Sequence, residues 1–496
     1  MRKLLLGLGL GIGLPFVGAC VPQVGAADAV GSTPGLPPLS RMELAQKFFE
    51  TGPGSVPEGG EPDAGFLSSS TGSAPALGMS TRVVPVPGYP GAYNVVLRNT
   101  GSGYAESFVL QIPSNPPPGP RPLLVAFHRA NVSHADAFLW TQFPAECQAR
   151  GWYFVAPLGG SQRHFSSLVS QINTRRALEL VAALYPIDTE RIYGVGFSMG
   201  GGAVATYAAR HLDAERLRFA AIVNHTGTVS VADAFAKEAD DNDADDGPAP
   251  SGANLESPDL MEFWNGGSPA QAGFSFQRCS TIDLDPLTGL VGAGTDLARN
   301  LGGLKVMTVL ASGDTNPYLP QQTQTWAGHL ANLGVDDTFV SVAFNGHSWD
   351  ALDAHMVCDW FDPVRLGDPS AGNQLADEDG QGVGHFVVRQ DSAGSFTPFQ
   401  WTCDPLSNRL SVWGTKNLER LEVDAARLGL AYLGTLRWNH AAGDGTADEL
   451  LLQNCPGAPL HVFRDGAPAS VVYDPLTQTC LVTEPDPAGH QWQLQF

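Results

Sequence analysis

Ile192-Tyr193-Gly194-Val195-Gly196-Phe197-Ser198-Met199-Gly200-Gly201-Gly202-Ala203-Val204-Ala205 is the stretch on which the reading of this chain turns. Its first four residues read as a buried strand, and the small residues after Met199 open a helix. Between them stands Gly-x-Ser-x-Gly, which is weak alone: at this glycine and serine content chance yields about 0.4 such patterns in a chain of this length. The strand-turn-helix context gives it meaning. Glycines on both sides of the serine relieve a tight turn, and the turn presents the hydroxyl at a helix N-terminus. Ser198 is therefore the candidate nucleophile. The Met199 N–H beside it is a candidate donor to an oxyanion.

Outward from this turn, strand-like and helix-like pieces alternate. Strands are expected at Tyr93–Leu97, Ser107–Ile112, Pro122–Phe127, Trp152–Ala156, Arg191–Val195, Arg218–Val223, Lys305–Leu310 and Thr338–Phe344. Helices are expected at Ala135–Arg150, Ser166–Leu184 and Met199–His211. The fold class is thus α/β, a mostly parallel sheet with helices on both faces. Residues 228–302 are too long for a simple crossover and read as an insertion, either a wall of the site or a surface excursion.

A serine nucleophile needs a base and an acid, which on this architecture follow in the order Ser, acid, His. Asp314 stands just past the strand Lys305–Leu310, in Ala311-Ser312-Gly313-Asp314. Its rivals are Asp337 and Asp350. His347 stands on the loop after the last core strand, in Asn345-Gly346-His347-Ser348-Trp349, a placement no other of the twelve histidines shares. Ser198, Asp314 and His347 form the candidate triad.

These residues resemble a known group. Asp188-Thr189-Glu190-Arg191-Ile192-Tyr193 running into the turn, Gly313-Asp314-Thr315, and Gly346-His347-Ser348-Trp349 are similar to the extracellular polyhydroxybutyrate depolymerase and feruloyl or acetylxylan esterase branch of the α/β-hydrolases. The resemblance covers about residues 90 to 360. It implies cleavage of carboxylic esters outside the cell, free or polymeric, with no cofactor; no metal is expected, since the histidines show no zinc-ligand spacing. It also implies that the loop after the early strand supplies a second oxyanion donor. There this chain departs from the group: His128-Arg129-Ala130 stands where the group has His-Gly, so the donor is Arg129 or Ala130. The acid loop is about one residue shorter than the group's, and the insertion after Thr226 is foreign to it.

The ends of the chain speak to location. Arg2 and Lys3 precede a short apolar run, Leu4–Phe16, and Val17-Gly18-Ala19-Cys20 resembles a bacterial lipobox. Residues 1–19 are expected to be a lipoprotein signal peptide and Cys20 the lipidated N-terminus. The protein is then exported, at the cell surface or outer membrane, or otherwise secreted, and meets the membrane only through its anchor. Of seven cysteines, assigning Cys20 to lipid leaves Cys147, Cys279, Cys358, Cys403, Cys455 and Cys480 to pair, with Cys455–Cys480 the local choice.

Residues 20–65, rich in Gly, Pro, Ala and Ser, read as a flexible tether, and 66–362 as the hydrolase domain. A linker is expected over 363–385 and a β-rich accessory domain over 386–496, with Asp404-Pro405-Leu406-Ser407 and Asp474-Pro475-Leu476-Thr477 as turn starters. A formal charge of −22 argues against nucleic acid as a partner. Asp241, Asp243 and Asp245 have calcium-loop spacing, but the required Gly and final Glu are missing. Trp140, Trp152, Trp264 and Trp349 are candidates for a polymer-facing surface, against core packing. A serine peptidase on the same fold, or a surface binding protein with a decayed hydrolase core, are the rival functions.

Overall fold

The computed structural model describes residues 79–239, 257–292, 296–441, 444–486 and 488–496. The expected signal segment, Cys20, the tether over 20–65 and the aspartates 241, 243 and 245 lie outside them.

Nine strands form the larger sheet: β1 (Ser80–Pro85), β2 (Ala92–Arg98), β3 (Glu106–Gln111), β4 (Arg121–Phe127), β5 (Tyr153–Pro157), β6 (Ile187–Phe197), β7 (Ala221–His225), β8 (Lys305–Gly313) and β9 (Asp336–Asn345). Their spatial order is β1-β2-β3-β5-β4-β6-β7-β8-β9. From β5 to β9 every pairing is parallel. β1, β2 and β3 add an antiparallel flank.

β4 and β5 are buried along nearly their whole length, so they read as unbroken apolar runs rather than alternations. Successive β4 side chains feed opposite cores. Leu123, Val125 and Phe127 join Val204 and Tyr207 on one face, and Leu124 and Ala126 join Phe143, Phe154 and Phe361 on the other.

The strand order reverses at β4: the chain steps outward to β5 and then returns to β6 on β4's other side. Such a reversal opens a crevice beyond the C-terminal ends of the parallel strands. The loops carrying Arg129, Ser198, Asp314 and His347 follow β4, β6, β8 and β9 at that end. With its strand-serine-helix turn, this is the α/β-hydrolase architecture.

The helix expected over Ala135–Arg150 is two, Ala135–Trp140 and Phe143–Arg150, with Pro144 in the first turn of the second. A proline there fits a helix start and not a helix interior.

The insertion contributes helices Val231–Ala239, Ser257–Asn265 and Gly273–Arg278. Val231, Ala234, Met261 and Phe276 from these helices pack with Phe165, Met199, Tyr318 and Leu319. The insertion thus lies over the residue next to the candidate nucleophile.

Two further seven-stranded sheets are built mainly from residues 371–495. Side chains of both, among them Trp401 and Trp438 from one and Leu421 and Leu450 from the other, share one core. Asp404 and Asp474 do start turns, their carboxylates accepting the N–H of Leu406 and Leu476.

The stretch expected as a linker is partly sheet: Ala371–Ala376 and Gln381–Gly384 are strands. Composition concealed them, since only Leu375, Ala376 and Val383 bury apolar side chains there. The second sheet ends on Leu212–Asp213, a strand from the hydrolase part paired with Val383–Gly384. Beside this seam, buried Asp377 accepts from Arg210 at 2.7 Å and Arg278 at 2.6 Å.

The six described cysteines are buried free thiols. The expected pairing, Cys455–Cys480 included, is not formed.

Candidate functional site

The nucleophile turn is made by backbone crowding. A Cβ on Gly196 would lie 2.0 Å from the Gly200 carbonyl oxygen, and one on Gly200 would lie 2.2 Å from that of Phe127. Only hydrogen fits at either position. β6 therefore turns straight into the helix Met199–Arg210, and Ser198 takes φ 58° and ψ −126°, a costly backbone for a residue with a side chain. Its N–H donates to the His225 carbonyl at 3.0 Å, and its own carbonyl accepts from Thr228 at 3.2 Å. The strained residue is thus pinned on both sides.

His347 and Asp314 meet. The His347 Nδ1 lies 2.8 Å from Asp314 Oδ2 and 3.1 Å from Oδ1. The Asp314 side chain is fully buried, and Oδ1 also accepts the Asn316 N–H at 2.8 Å. A bond from the Gly346 N–H to the Gly313 carbonyl, 2.8 Å, ties the two loops together.

The rival carboxylates are engaged elsewhere. Asp337 accepts from Thr308 Oγ1 at 2.9 Å, and burial pushes its carboxyl up to about 6. Asp350 accepts from Ser348 Oγ at 2.9 Å as part of a turn.

No hydrogen bond joins Ser198 to His347 among the described residues. The His347 Nε2 is buried and unbonded, and the ring packs on Phe197 with centroids 4.4 Å apart. Nε2 is thus the imidazole nitrogen left free for proton transfer.

The candidate oxyanion donors flank the serine. Met199 is the first residue of its helix, so its N–H has no acceptor within that helix. Gly200 sits against the Phe127 and His128 carbonyls, which brings the loop 128–130 beside the turn. Asn131 donates its N–H to the Gln162 carbonyl, while neither Arg129 nor Ala130 gives its N–H to another backbone group among the described residues.

The Arg129 side chain reaches back to Asp136, with Nε 3.4 Å from Oδ1. His128 is buried with Nδ1 2.7 Å from the Arg129 carbonyl and Nε2 3.0 Å from that of Leu158. Burial pulls it below the ordinary imidazole range against those contacts.

Several residues of the site were not legible in the sequence. Glu106, on β3, accepts the N–H groups of Leu158 at 2.8 Å, Gly159 at 3.0 Å and Gly160 at 2.9 Å. Burial nevertheless pushes its carboxyl up to about 8. It shapes the loop that continues to Phe165, whose N–H donates to Met199 Sδ at 3.4 Å.

His225, the last residue of β7, has both ring nitrogens buried and unbonded and packs on Phe197 at 4.6 Å. Burial first, and His347 second, bring it down to about 3. Its only sequence signal was its place at the end of a strand next to the nucleophile strand.

Of the four tryptophans considered for a polymer-facing surface, Trp152 and Trp349 are core residues. Trp140 is exposed, and Trp264 donates to the Arg163 carbonyl at 2.9 Å while half-buried.

No family model matches the chain, and no curated protein matches it. Solved structures similar to it include the S-formylglutathione hydrolase of Staphylococcus aureus, at 12% identity over 57% of this chain and 98% of that one, TM-score 0.39. That of Agrobacterium tumefaciens is 15% identical over 61% and 99%, TM-score 0.39. The acetyl xylan esterase from Paenibacillus sp. R4 is 14% identical over 58% and 89%, TM-score 0.38.

Proposed function

We propose that the chain is a serine hydrolase of carboxylic esters, with Ser198 as nucleophile, His347 as general base and Asp314 as the acid that orients it. The observation carrying this reading is the Asp314–His347 contact at 2.8 Å beside a serine held at φ 58° in the nucleophile turn.

Asp314 engages Nδ1 and thereby holds the neutral ring in the tautomer whose Nε2 accepts a proton. His347 takes the Ser198 proton through Nε2 as Oγ attacks the ester carbonyl. The negative charge that develops on the carbonyl oxygen is met by the N–H of Met199 and by that of Arg129 or Ala130. Such a donor contributes about 3 kcal/mol. The protonated imidazole then gives its proton to the leaving alcohol. Water, deprotonated by the same nitrogen, releases the acid from the acyl-enzyme. His347 Nε2 has no hydrogen-bond partner among the described residues, so a small side-chain rotation of Ser198 or His347 precedes attack.

The work is placed outside the cell: residues 1–19 act as an export signal, and acylated Cys20 anchors the chain through the segment that follows. The insertion helices, packed on Met199 and Phe165, form one wall of the ester site, and the substrate is a polyester or an acyl or feruloyl-type ester.

The test is p-nitrophenyl ester hydrolysis across acyl chain lengths by the mature protein and by Ser198→Ala. Turnover that vanishes in the variant is expected, and its chain-length profile measures the acyl pocket. Turnover equal in both proteins would remove Ser198 from the chemistry.

A further inference from the structure

Arg129 stands where the resembling group has glycine, and its side chain has a definite partner. Asp136, on the helix Ala135–Trp140, is almost wholly buried. Its Oδ1 faces Arg129 Nε at 3.4 Å, and its Oδ2 accepts the Trp349 indole N–H at 2.8 Å. Arg129 belongs to the loop after β4 that holds the candidate oxyanion donor. Trp349 is two residues beyond His347, and its ring packs on Phe197, the neighbour of Ser198, at 5.3 Å. One buried carboxylate therefore contacts both catalytic loops, although Trp349 stands 213 residues from Asp136 in the chain.

A neutral acceptor would satisfy an indole N–H. A buried carboxylate is a costly substitute unless its charge is compensated. Here the compensating guanidinium comes from the other loop, so each loop's position depends on the other's.

We propose that Arg129, Asp136 and Trp349 form a brace that keeps the oxyanion loop in register with the His347 loop. All three are positioning residues. The inference rests on the hydrolase reading for its catalytic consequence, but not for the mechanical coupling itself. The groups shown against His347 are Asp314 from the β8 loop, Phe197 from β6 and His225 from β7. The brace adds no charge in contact with the ring and acts through the backbone that carries it.

Arg129→Ala keeps the backbone N–H and removes the ion pair; Trp349→Phe keeps a ring and removes the indole N–H. Hydrogen exchange read by mass spectrometry on the full chain tests the coupling. Arg129→Ala is expected to raise exchange in the peptide covering residues 345–352, a segment to which Arg129 makes no ion pair among the described residues.

Kinetics tests the consequence. Each single variant is expected to lower kcat about tenfold to hundredfold, with KM changed by less than about twofold. The double variant should lose little more than either single one, because either change breaks the same link. Arg129→Lys, which keeps the charge, should recover most of the loss.

Unchanged exchange in 345–352, or losses that multiply in the double variant, would overturn the brace. If exchange responds as expected while neither the native protein nor Ser198→Ala cleaves any ester, the brace stands and the hydrolase reading falls.

Discussion

Asp314→Asn is the sharpest single perturbation of the proposed site. The carboxylate accepts at three places: His347 Nδ1 on both oxygens, at 2.8 and 3.1 Å, and the Asn316 N–H at 2.8 Å on Oδ1. In the asparagine, the carbonyl oxygen can keep the Asn316 bond. The amide NH2 then occupies the place of Oδ2 and points one of its hydrogens toward Nδ1. Two donors cannot face each other, so Nδ1 must give up its proton and Nε2 must carry one. An imidazole protonated on Nε2 cannot accept the proton of Ser198.

Misassigning the tautomer in this way costs about 10,000-fold in kcat, equivalent to about 5.4 kcal/mol of barrier. The substitution preserves volume, and the fully buried side chain pairs with no Lys or Arg among the described residues, so the fold should persist. The assay is kcat for p-nitrophenyl acetate, with thermal melting of both proteins as the control. A correctly folded Asp314→Asn that keeps more than about a tenth of the native kcat would refute the assignment of Asp314 as the orienting acid.

Two further outcomes are expected. Glu106 is neutral by burial until about pH 8; because its folded pKa is raised, its stabilising contribution is full at pH values below its ordinary 4.5 and disappears as pH rises through about 8. Glu106→Gln should remove that part of the pH dependence of Tm, and native and variant curves running parallel across this window would contradict it. At the seam, burial alone would raise Asp377, and the Arg210 and Arg278 guanidiniums override it to leave the carboxyl below the usual range. Its contribution is therefore present above that range and lost in acid. Asp377→Ala, which leaves Arg210 and Arg278 only the exposed Glu378 as a shared carboxylate, should cost about 3–5 kcal/mol in urea unfolding and open residues 371–384 to protease. A loss under about 1 kcal/mol would show the pair to be no more than a surface contact in effect.

Much of the fold was legible because parallel strands buried on both faces announce themselves as apolar runs. Pro122–Phe127 and Lys305–Leu310 needed no partner to be recognised. Strands that bury few apolar side chains were not legible, as Ala371–Ala376 and Gln381–Gly384 show. The single helix expected over Ala135–Arg150 failed for a local reason that was present in the sequence, Pro144, which prefers a first helical turn and starts a second helix there.

For the site, residue type and strand-end position were enough to nominate Ser198, Asp314 and His347. The rivals Asp337 and Asp350 were set aside only by geometry: one faces Thr308 and the other closes a turn with Ser348.

The sequence by itself determined what is decided between near neighbours in the chain. The crowding of Gly196 against Gly200 and Gly201, the strand-to-helix turn and the alternation of strands with helices are of this kind, because short-range sterics and periodicity act within a few residues. Only the tertiary structure decided which distant groups meet: Asp314 with His347, Glu106 with the amides of 158–160, and Asp136 with both Arg129 and Trp349. Those contacts depend on strand order and on where each loop leaves the sheet, and buried polar groups then take whatever partner the packing brings within hydrogen-bond distance.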